Sequence, residues 1–228
     1  MAASLFMFTD NLIKEYLVLK TQEKIKQCRL MPMLFFILKK KGEHQEMKLF
    51  FDMDGTLSVF SKDAGPDIWS APGYARNLAP ITNMVRAVKL LINNPEYYGD
   101  RPEVYILSAV VSMDFAVEDK KMWLKTMGLN IPEKNLIFVP YGTSKADALA
   151  ERGIEVDPDG SDVFIDDYTK NLIDMQMNSD LTPVKVLNGI NDTHKTWQGA
   201  RISADSSPRT IADTLVGIGW VSRATQAA

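Results

Sequence analysis

The chain has 228 residues, of which 26 are Lys or Arg, 29 are Asp or Glu, and 46% are hydrophobic. A chain of this size can bury a sizeable core as one domain without a metal or disulfide framework. The single cysteine, Cys28, excludes an intramolecular disulfide, and the net charge of −3 argues against a nucleic-acid binder with a broad basic surface. We therefore expect a cytoplasmic globular protein.

Residues 1–46 are predicted to form a basic N-terminal extension. They hold eight Lys or Arg against five Asp or Glu, whereas residues 47–228 hold 18 against 24. The sequence pattern of the extension favours a capped amphipathic helix. An apolar run at 33–38 follows, and it is too short to span a membrane, which takes roughly 20 residues. We interpret it as packed on the body or partly disordered. Three alternatives stay open: an oligomerisation element that would support a homodimer, a membrane-surface element, and a natural start at Met47.

From residue 47 onward, short apolar runs alternate with longer helix-like segments. This alternation is typical of a parallel sheet whose strands are joined by crossover helices. The predicted strands are 48–52, 104–108, 136–140, 163–166 and 184–187. The predicted helices are 80–92, 117–127, 145–152, 171–177 and a last helix near 209–217. The pattern indicates an α/β fold with a parallel sheet over residues 47–228.

Polar side chains stand at the ends of three predicted strands. Asp52 follows Leu-Phe-Phe, Ser108 follows Tyr-Ile-Leu, and Asp166 follows Val-Phe-Ile. The carboxyl ends of the strands form the ligand crevice of an open α/β sheet. These three residues are therefore expected to converge, although they are far apart in the chain.

Two pairs of carboxylates are the strongest candidates for chemistry. Asp52 and Asp54 flank the point where a strand meets a Gly turn, so one could attack phosphorus while the other handles protons. Asp166 and Asp167 add hard oxygen ligands of the kind that Mg²⁺ prefers. The alternatives are purely structural, since Asp54 and Gly55 could simply form a turn and Asp167 could cap a helix.

Two further residue types fit a phosphate ligand. The Ser108 hydroxyl and the backbone N–H groups of Ser108 and Ala109 could hold phosphate oxygens, and Lys145, at a predicted helix start, could offset their charge. Each also has an ordinary explanation, as a cap or as a solvated lysine.

The segment 58–79 is too long for an ordinary connection between a strand and a helix, and we predict that it forms a small lid over the crevice. Aromatic rings suit stacking on a nucleobase, and Arg or Asn side chains suit base edges or phosphate. The aromatic rings could equally pin the loop to the body. The candidate substrate-binding residues of the lid are Phe60, Trp69, Tyr74, Arg76 and Asn77.

Together, Asp-Met-Asp-Gly-Thr-Leu at 52–57, Ile-Leu-Ser at 106–108, Lys145 and Ile-Asp-Asp at 165–167 resemble the four motifs of the haloacid dehalogenase superfamily of phosphohydrolases. The resemblance covers residues 47–190. It implies a Rossmann-like fold of three layers with the parallel sheet between helices, Mg²⁺ dependence and an aspartyl-phosphate intermediate.

The resemblance also implies a role for each matched residue. Asp52 would be the nucleophile and a metal ligand. Asp54 would be the general acid and base, with its backbone carbonyl on Mg²⁺. Ser108 would bind phosphate and Lys145 would steady the phosphoaspartate. Asp166 would be a metal ligand, and Asp167 a ligand or the partner of one.

The segments 68–78 and 165–172 are similar to the branch of this superfamily around the cytosolic 5′(3′)-deoxyribonucleotidases. This similarity implies a small-molecule phosphate ester, a nucleoside monophosphate, as the substrate. The acidic body argues against long nucleic acid. Two alternatives remain: a phosphatase for sugar phosphates or polynucleotide ends, and a ligand-binding protein on the same scaffold.

Overall fold

The computed structural model of the chain describes residues 47–61, 63–94, 97–98, 102–111, 115–191 and 196–226. The extension predicted over residues 1–46, with its helix, lies outside the described residues.

Strands and helices alternate along the described part of the chain. The strands are β1 (Lys48–Phe51), β2 (Glu103–Val110), β3 (Leu136–Pro140), β4 (Val163–Asp166), β5 (Thr182–Leu187) and β6 (Ala200–Ser203). The helices are α1 (Pro66–Trp69), α2 (Thr82–Asn93), α3 (Ala116–Thr126), α4 (Lys145–Glu151), α5 (Thr169–Asn178) and α6 (Pro208–Gln226). Short 3₁₀ turns occupy Ala75–Asn77 and Glu133–Asn135. In this part of the chain, we find no helix with the length and apolar character needed to cross a lipid bilayer.

The six described strands form one parallel sheet in the order β3-β2-β1-β4-β5-β6. The chain runs outward from β1 through β2 to β3 and then returns to add β4 on the other side of β1. The order reverses between β1 and β4, so the carboxyl ends of these two strands border a crevice. The predicted parallel α/β sheet is confirmed.

Both faces of the sheet are covered by helices. On one face, Phe50 stacks on Tyr105 with ring centroids 4.7 Å apart, and the same core group includes Leu149 of α4 and Leu172 of α5. On the other face, α2 and α6 pack against each other and against the sheet. The central strands are therefore buried on both sides, which explains why they are almost continuously apolar.

The structure differs from the predicted elements in four main places. The last helix, α6, continues to Gln226, whereas the predicted helix ended near residue 217. Strand β6 was not predicted, because only Ile202 of its four residues is buried and no apolar run marks it. Strand β2 extends to Val110, so Ser108 pairs with Phe138 inside the strand and does not end it. The segment 58–79 contains the helical turn α1 and the 3₁₀ turn Ala75–Asn77, where the prediction had only loop.

The buried face of α2 provides a test of this packing. Met84 is fully buried, whereas Met177 of α5 is 76% exposed. We expect Met84→Ala to lower the free energy of unfolding by about 2–5 kcal/mol because it leaves a cavity in the core. The matched change Met177→Ala should stay within about 0.5 kcal/mol of wild type. Urea denaturation of both variants measures the difference, and equal losses would contradict this placement of α2.

Candidate active site

The turn after β1 brings two carboxylates to one cavity. The Asp52 backbone N–H donates to the Ile165 carbonyl at 2.9 Å, which continues the pairing of β1 with β4. The chain then turns sharply, and the Met53 carbonyl accepts from the N–H groups of Leu57 and Ser58, each at 2.8 Å. As a result Asp52 and Asp54 line the same cavity of about 270 Å³.

Three carboxylates meet at the carboxyl ends of β1 and β4. Asp52, Asp166 and Asp167 are 6%, 0% and 1% exposed, and one oxygen from each lies within 4.8 Å of the others. Like charges this close in a buried site repel one another strongly unless cations compensate them. The described residues supply one such cation directly, since the Lys145 ammonium lies 2.7 Å from Asp52 Oδ1 and 2.8 Å from Asp166 Oδ2.

Burial and charge shift the pKa values of this group. Burial alone would lower the pKa of Lys145, but the carboxylates of Asp166 and Asp52 outweigh it and raise this pKa above its ordinary range. Burial raises the pKa of Asp166 although Lys145 opposes the change. Burial, with added repulsion from Asp166 and Asp52, raises the pKa of Asp167 to about 7. The charge of Asp167 is therefore the one that Lys145 compensates least.

The surroundings of Asp167 hold its carboxylate in place. Asn191 and Asn188 donate to its Oδ2 at 2.8 Å and 3.1 Å, and Asn188 also donates to the Gly55 carbonyl. Gly55 has a φ of +82°, and a Cβ at this position would collide with the Asp167 carboxylate. Only glycine satisfies both the left-handed backbone and this close approach.

The donor atoms of the site are suited to a divalent cation. Asp52, Asp166 and Asp167 offer hard carboxylate oxygens, and their mutual repulsion is of the kind that a bound cation removes. These three are the carboxylates predicted as metal ligands. The carboxylate of Asp54 is not one of the cluster, and the metal contact predicted for its backbone carbonyl stays a prediction.

Asp54 instead pairs with Lys120 of α3, a residue that the sequence reasoning missed. The Lys120 ammonium lies 2.6 Å from Asp54 Oδ2, and its side chain is 4% exposed. A signal for it was present, since Lys120 lies on the buried face of α3 with Ala116, Trp123 and Leu124. A lysine within an apolar helical stripe is seldom buried without a charged partner.

Ser108 and Ala109 lie at the same end of β2 but differ in position. Ala109 lines the cavity, whereas the Ser108 side chain is fully buried beside Lys120 and is not part of the cavity lining. Successive side chains of a strand point to opposite faces of the sheet, so Ser108 faces away from Ala109, and its hydroxyl accepts from Lys120 of α3 at 2.8 Å.

The predicted lid contributes aromatic rings to the cavity. Phe60, Trp69 and Tyr74 line it, and the Trp69 ring lies 5.1 Å from Phe60 and 6.1 Å from Tyr141. The Trp69 indole N–H also donates to the Ser61 carbonyl at 3.0 Å, so this ring pins the loop as well as lining the cavity. Tyr141 and Tyr168, which the sequence reasoning did not single out, complete the aromatic wall.

Two candidate residues of the lid point elsewhere. Arg76 is not part of the cavity lining, because its guanidinium pairs with the buried carboxylate of Asp119. Asn77 donates to the Gly73 carbonyl at 2.7 Å and is also absent from the lining. The substrate-binding role predicted for Arg76 therefore has no support in its position, and the residue fastens the lid to α3.

Comparisons with known proteins leave the family unassigned. No family model and no curated protein matches the chain. Solved structures that match include one titled "Structure of DsGPDH of Dunaliella salina", with 16% sequence identity and a TM-score of 0.45. The match covers 75% of this chain, which spans 29% of that protein.

The raised pKa of Asp167 predicts how the stability of the metal-free protein depends on pH. The folded protein keeps a proton at Asp167 up to a pKa of about 7, whereas the unfolded chain releases it near the ordinary value of 3.8. Stability should therefore fall as pH rises from about 4 to about 7, since the unfolded state binds fewer protons. Asp167→Asn should weaken this decline, because a neutral amide has no such proton to lose.

Urea unfolding in the presence of EDTA, across this pH range, measures the effect. The exposed Asp205 provides a control, and Asp205→Asn should keep the wild-type slope. An unchanged slope in Asp167→Asn would show that this carboxylate is not strained by its neighbours.

Proposed function

We propose that the chain is a Mg²⁺-dependent phosphomonoester hydrolase of the haloacid dehalogenase superfamily that acts on nucleoside monophosphates. The single observation that carries the proposal is the contact of Lys145 with both Asp52 and Asp166, in a cavity that Asp54 also lines. This arrangement would let one carboxylate act as a nucleophile and another as a proton carrier around one space, beside a compensating cation. The four sequence motifs support the same reading.

Asp52, Asp166 and Asp167 would hold the metal ion. Bound Mg²⁺ supplies positive charge that draws electrons from the phosphoryl oxygens and lets the anionic substrate approach an anionic nucleophile. In this reading, the repulsion among three crowded carboxylates destabilises the protein when no cation is bound. Relief of that repulsion would provide the affinity for the metal ion.

Asp52 would act as the nucleophile in the first half of the reaction. One of its carboxylate oxygens forms a bond to phosphorus while the bond between phosphorus and the leaving oxygen breaks. Asp54, protonated at this stage, gives its proton to the leaving oxygen, so the product departs as a neutral alcohol.

The second half reverses these roles. A water oxygen bonds to phosphorus, Asp54 accepts the water proton, and the bond between phosphorus and Asp52 breaks. Inorganic phosphate leaves, and both carboxyl groups return to their starting states. Lys145 has three N–H donors and gives two to Asp52 and Asp166, so the third is available to a phosphoryl oxygen.

The cavity lining supports a substrate that carries a flat ring and one phosphate. Five aromatic side chains, Phe60, Trp69, Tyr74, Tyr141 and Tyr168, contribute to the lining. The cationic side chains in that lining are Lys120 and Lys145, and both are already paired with carboxylates. A further phosphate would find no unpaired cation among these residues, which favours a monophosphate and disfavours a nucleic-acid strand.

Phosphate release from a substrate panel tests the proposed reaction. We expect the wild-type protein to release phosphate from deoxynucleoside monophosphates with Mg²⁺ and to lose this activity in EDTA. Asp52→Asn should lower kcat by at least about 1000-fold, because the amide oxygen is a poor nucleophile. Hydrolysis confined to sugar phosphates would overturn the nucleotide assignment. Metal binding without turnover of any ester would favour a ligand-binding protein.

Removal of the Trp69 ring tests the assignment of the base site. Stacking of a base on an aromatic ring is worth about 1–3 kcal/mol, so Trp69→Ala should raise KM for a deoxynucleoside monophosphate by about tenfold. It should leave KM for ribose 5-phosphate, which has no base, nearly unchanged. The exposed Tyr97, which stacks with Arg209, is the control position, and Tyr97→Ala should change neither value. An equal rise for both substrates would mean that Trp69 only holds the lid.

A further inference from the structure

Lys120 uses all of its hydrogen-bonding capacity inside the protein. Its ammonium donates to Asp54 Oδ2 at 2.6 Å, to Ser108 Oγ at 2.8 Å and to the Ala109 carbonyl at 2.9 Å. A lysine ammonium has three donors, and these bonds occupy all three. Lys120 therefore has no N–H left for a phosphate oxygen, although it lies in the wall of the cavity. In this respect it differs from Lys145.

The hydrogen bond from Lys120 makes the two carboxylate oxygens of Asp54 unequal. Asp54 lies in the turn beyond β1, and its side chain is 28% exposed. Oδ2 is held by the ammonium, whereas Oδ1 has only a long contact of 3.4 Å with the Ser58 hydroxyl among the described hydrogen bonds. Without Lys120, the carboxylate could rotate and present either oxygen in several orientations.

Lys120 is itself held in place from both sides. The preceding residue, Asp119, is 1% exposed and accepts from the Gly73 N–H and the Arg76 Nε–H of the lid, each at 2.6 Å. On the next turn of α3, the buried Trp123 donates to the Leu78 carbonyl at 2.7 Å. The helix that carries Lys120 is thus fastened to the lid, and the ammonium is fastened to β2. A charge fixed this firmly can hold a flexible neighbour in one orientation.

We propose that Lys120 is a positioning residue for proton transfer, which holds Asp54 against the end of β2 so that Oδ1 carries the proton to the leaving oxygen. This inference rests on the proposed phosphohydrolase function. A misplaced catalytic group can cost about 100-fold in rate even when it remains in the site. The loss of rate should be greatest for substrates whose leaving group needs a proton.

The test compares two esters of similar size and shape. Phenyl phosphate has a poor leaving group that needs a proton from Asp54, whereas the 4-nitrophenolate of 4-nitrophenyl phosphate leaves readily without one. The ratio of their kcat/KM values reports the first half of the reaction. We expect Lys120→Met to lower kcat/KM for phenyl phosphate about 10- to 100-fold more than for 4-nitrophenyl phosphate. Because both esters are measured in the same sample, the ratio is unaffected by any fraction of unfolded protein.

Three further variants separate positioning from a general loss of structure. Lys121 is the adjacent lysine, pairs with Glu133 at 2.6 Å on the helix surface, and does not line the cavity. Lys121→Met should keep the wild-type ratio. Asp54→Asn should shift the ratio in the same direction as Lys120→Met, and the double variant should shift it no further than Asp54→Asn alone, since both act on one step.

The outcomes also distinguish this inference from the proposed function. Equal losses on both esters in Lys120→Met, or additive shifts in the double variant, would overturn the positioning role while leaving the hydrolase assignment intact. Failure of the wild-type protein to hydrolyse any phosphate ester with Mg²⁺ would overturn the proposed function and this inference with it.

Discussion

The ion pair between Lys145 and the carboxylates of Asp52 and Asp166 is the interaction on which the site depends. These three groups come from α4, the end of β1 and the end of β4, and each is nearly or fully buried. A buried carboxylate without a partner would be costly, and two of them side by side would be more so. The ammonium makes their convergence tolerable and so stabilises the meeting of β1 with β4. Asp167, which it compensates less, leaves a local excess of negative charge suited to a cation.

The second buried lysine shows that the site is built from both faces of the sheet. Lys145 approaches from the layer of α4 and α5, whereas Lys120 approaches from the side of α3. Asp52 and Asp54 are only two residues apart, yet each pairs with a different lysine because the chain turns sharply between them. This division gives each carboxylate its own environment. Asp52 belongs to the cluster with Asp166 and Asp167, whereas Asp54 is held beside Lys120 in the wall of the same cavity.

The lid and the chemistry are connected through α3. Asp119 fastens the segment of Gly73 and Arg76, and the next residue, Lys120, fastens Asp54. Adjacent residues on a helix point in different directions, so one short stretch of α3 can hold two separate parts of the site. The aromatic wall formed by Trp69 and its neighbours is thereby fixed relative to the carboxylate that would exchange protons with the substrate. Under the proposed function, placement of the substrate and placement of the proton carrier would share one support.

The sequence by itself determined the parallel sheet, most of its strands, and the carboxylates and lysine that gather at one edge. These features are local, since apolar runs bury strands and a polar residue after such a run lies at the carboxyl end of the sheet. Only the tertiary structure decided the partners. Lys120 reaches Asp54 across 66 positions, and Arg76 turns away from the cavity to a carboxylate 43 positions further along. Contacts of this kind depend on how helices pack against the sheet. The periodicity of apolar residues along the chain does not predict which buried charged residues will pair with each other.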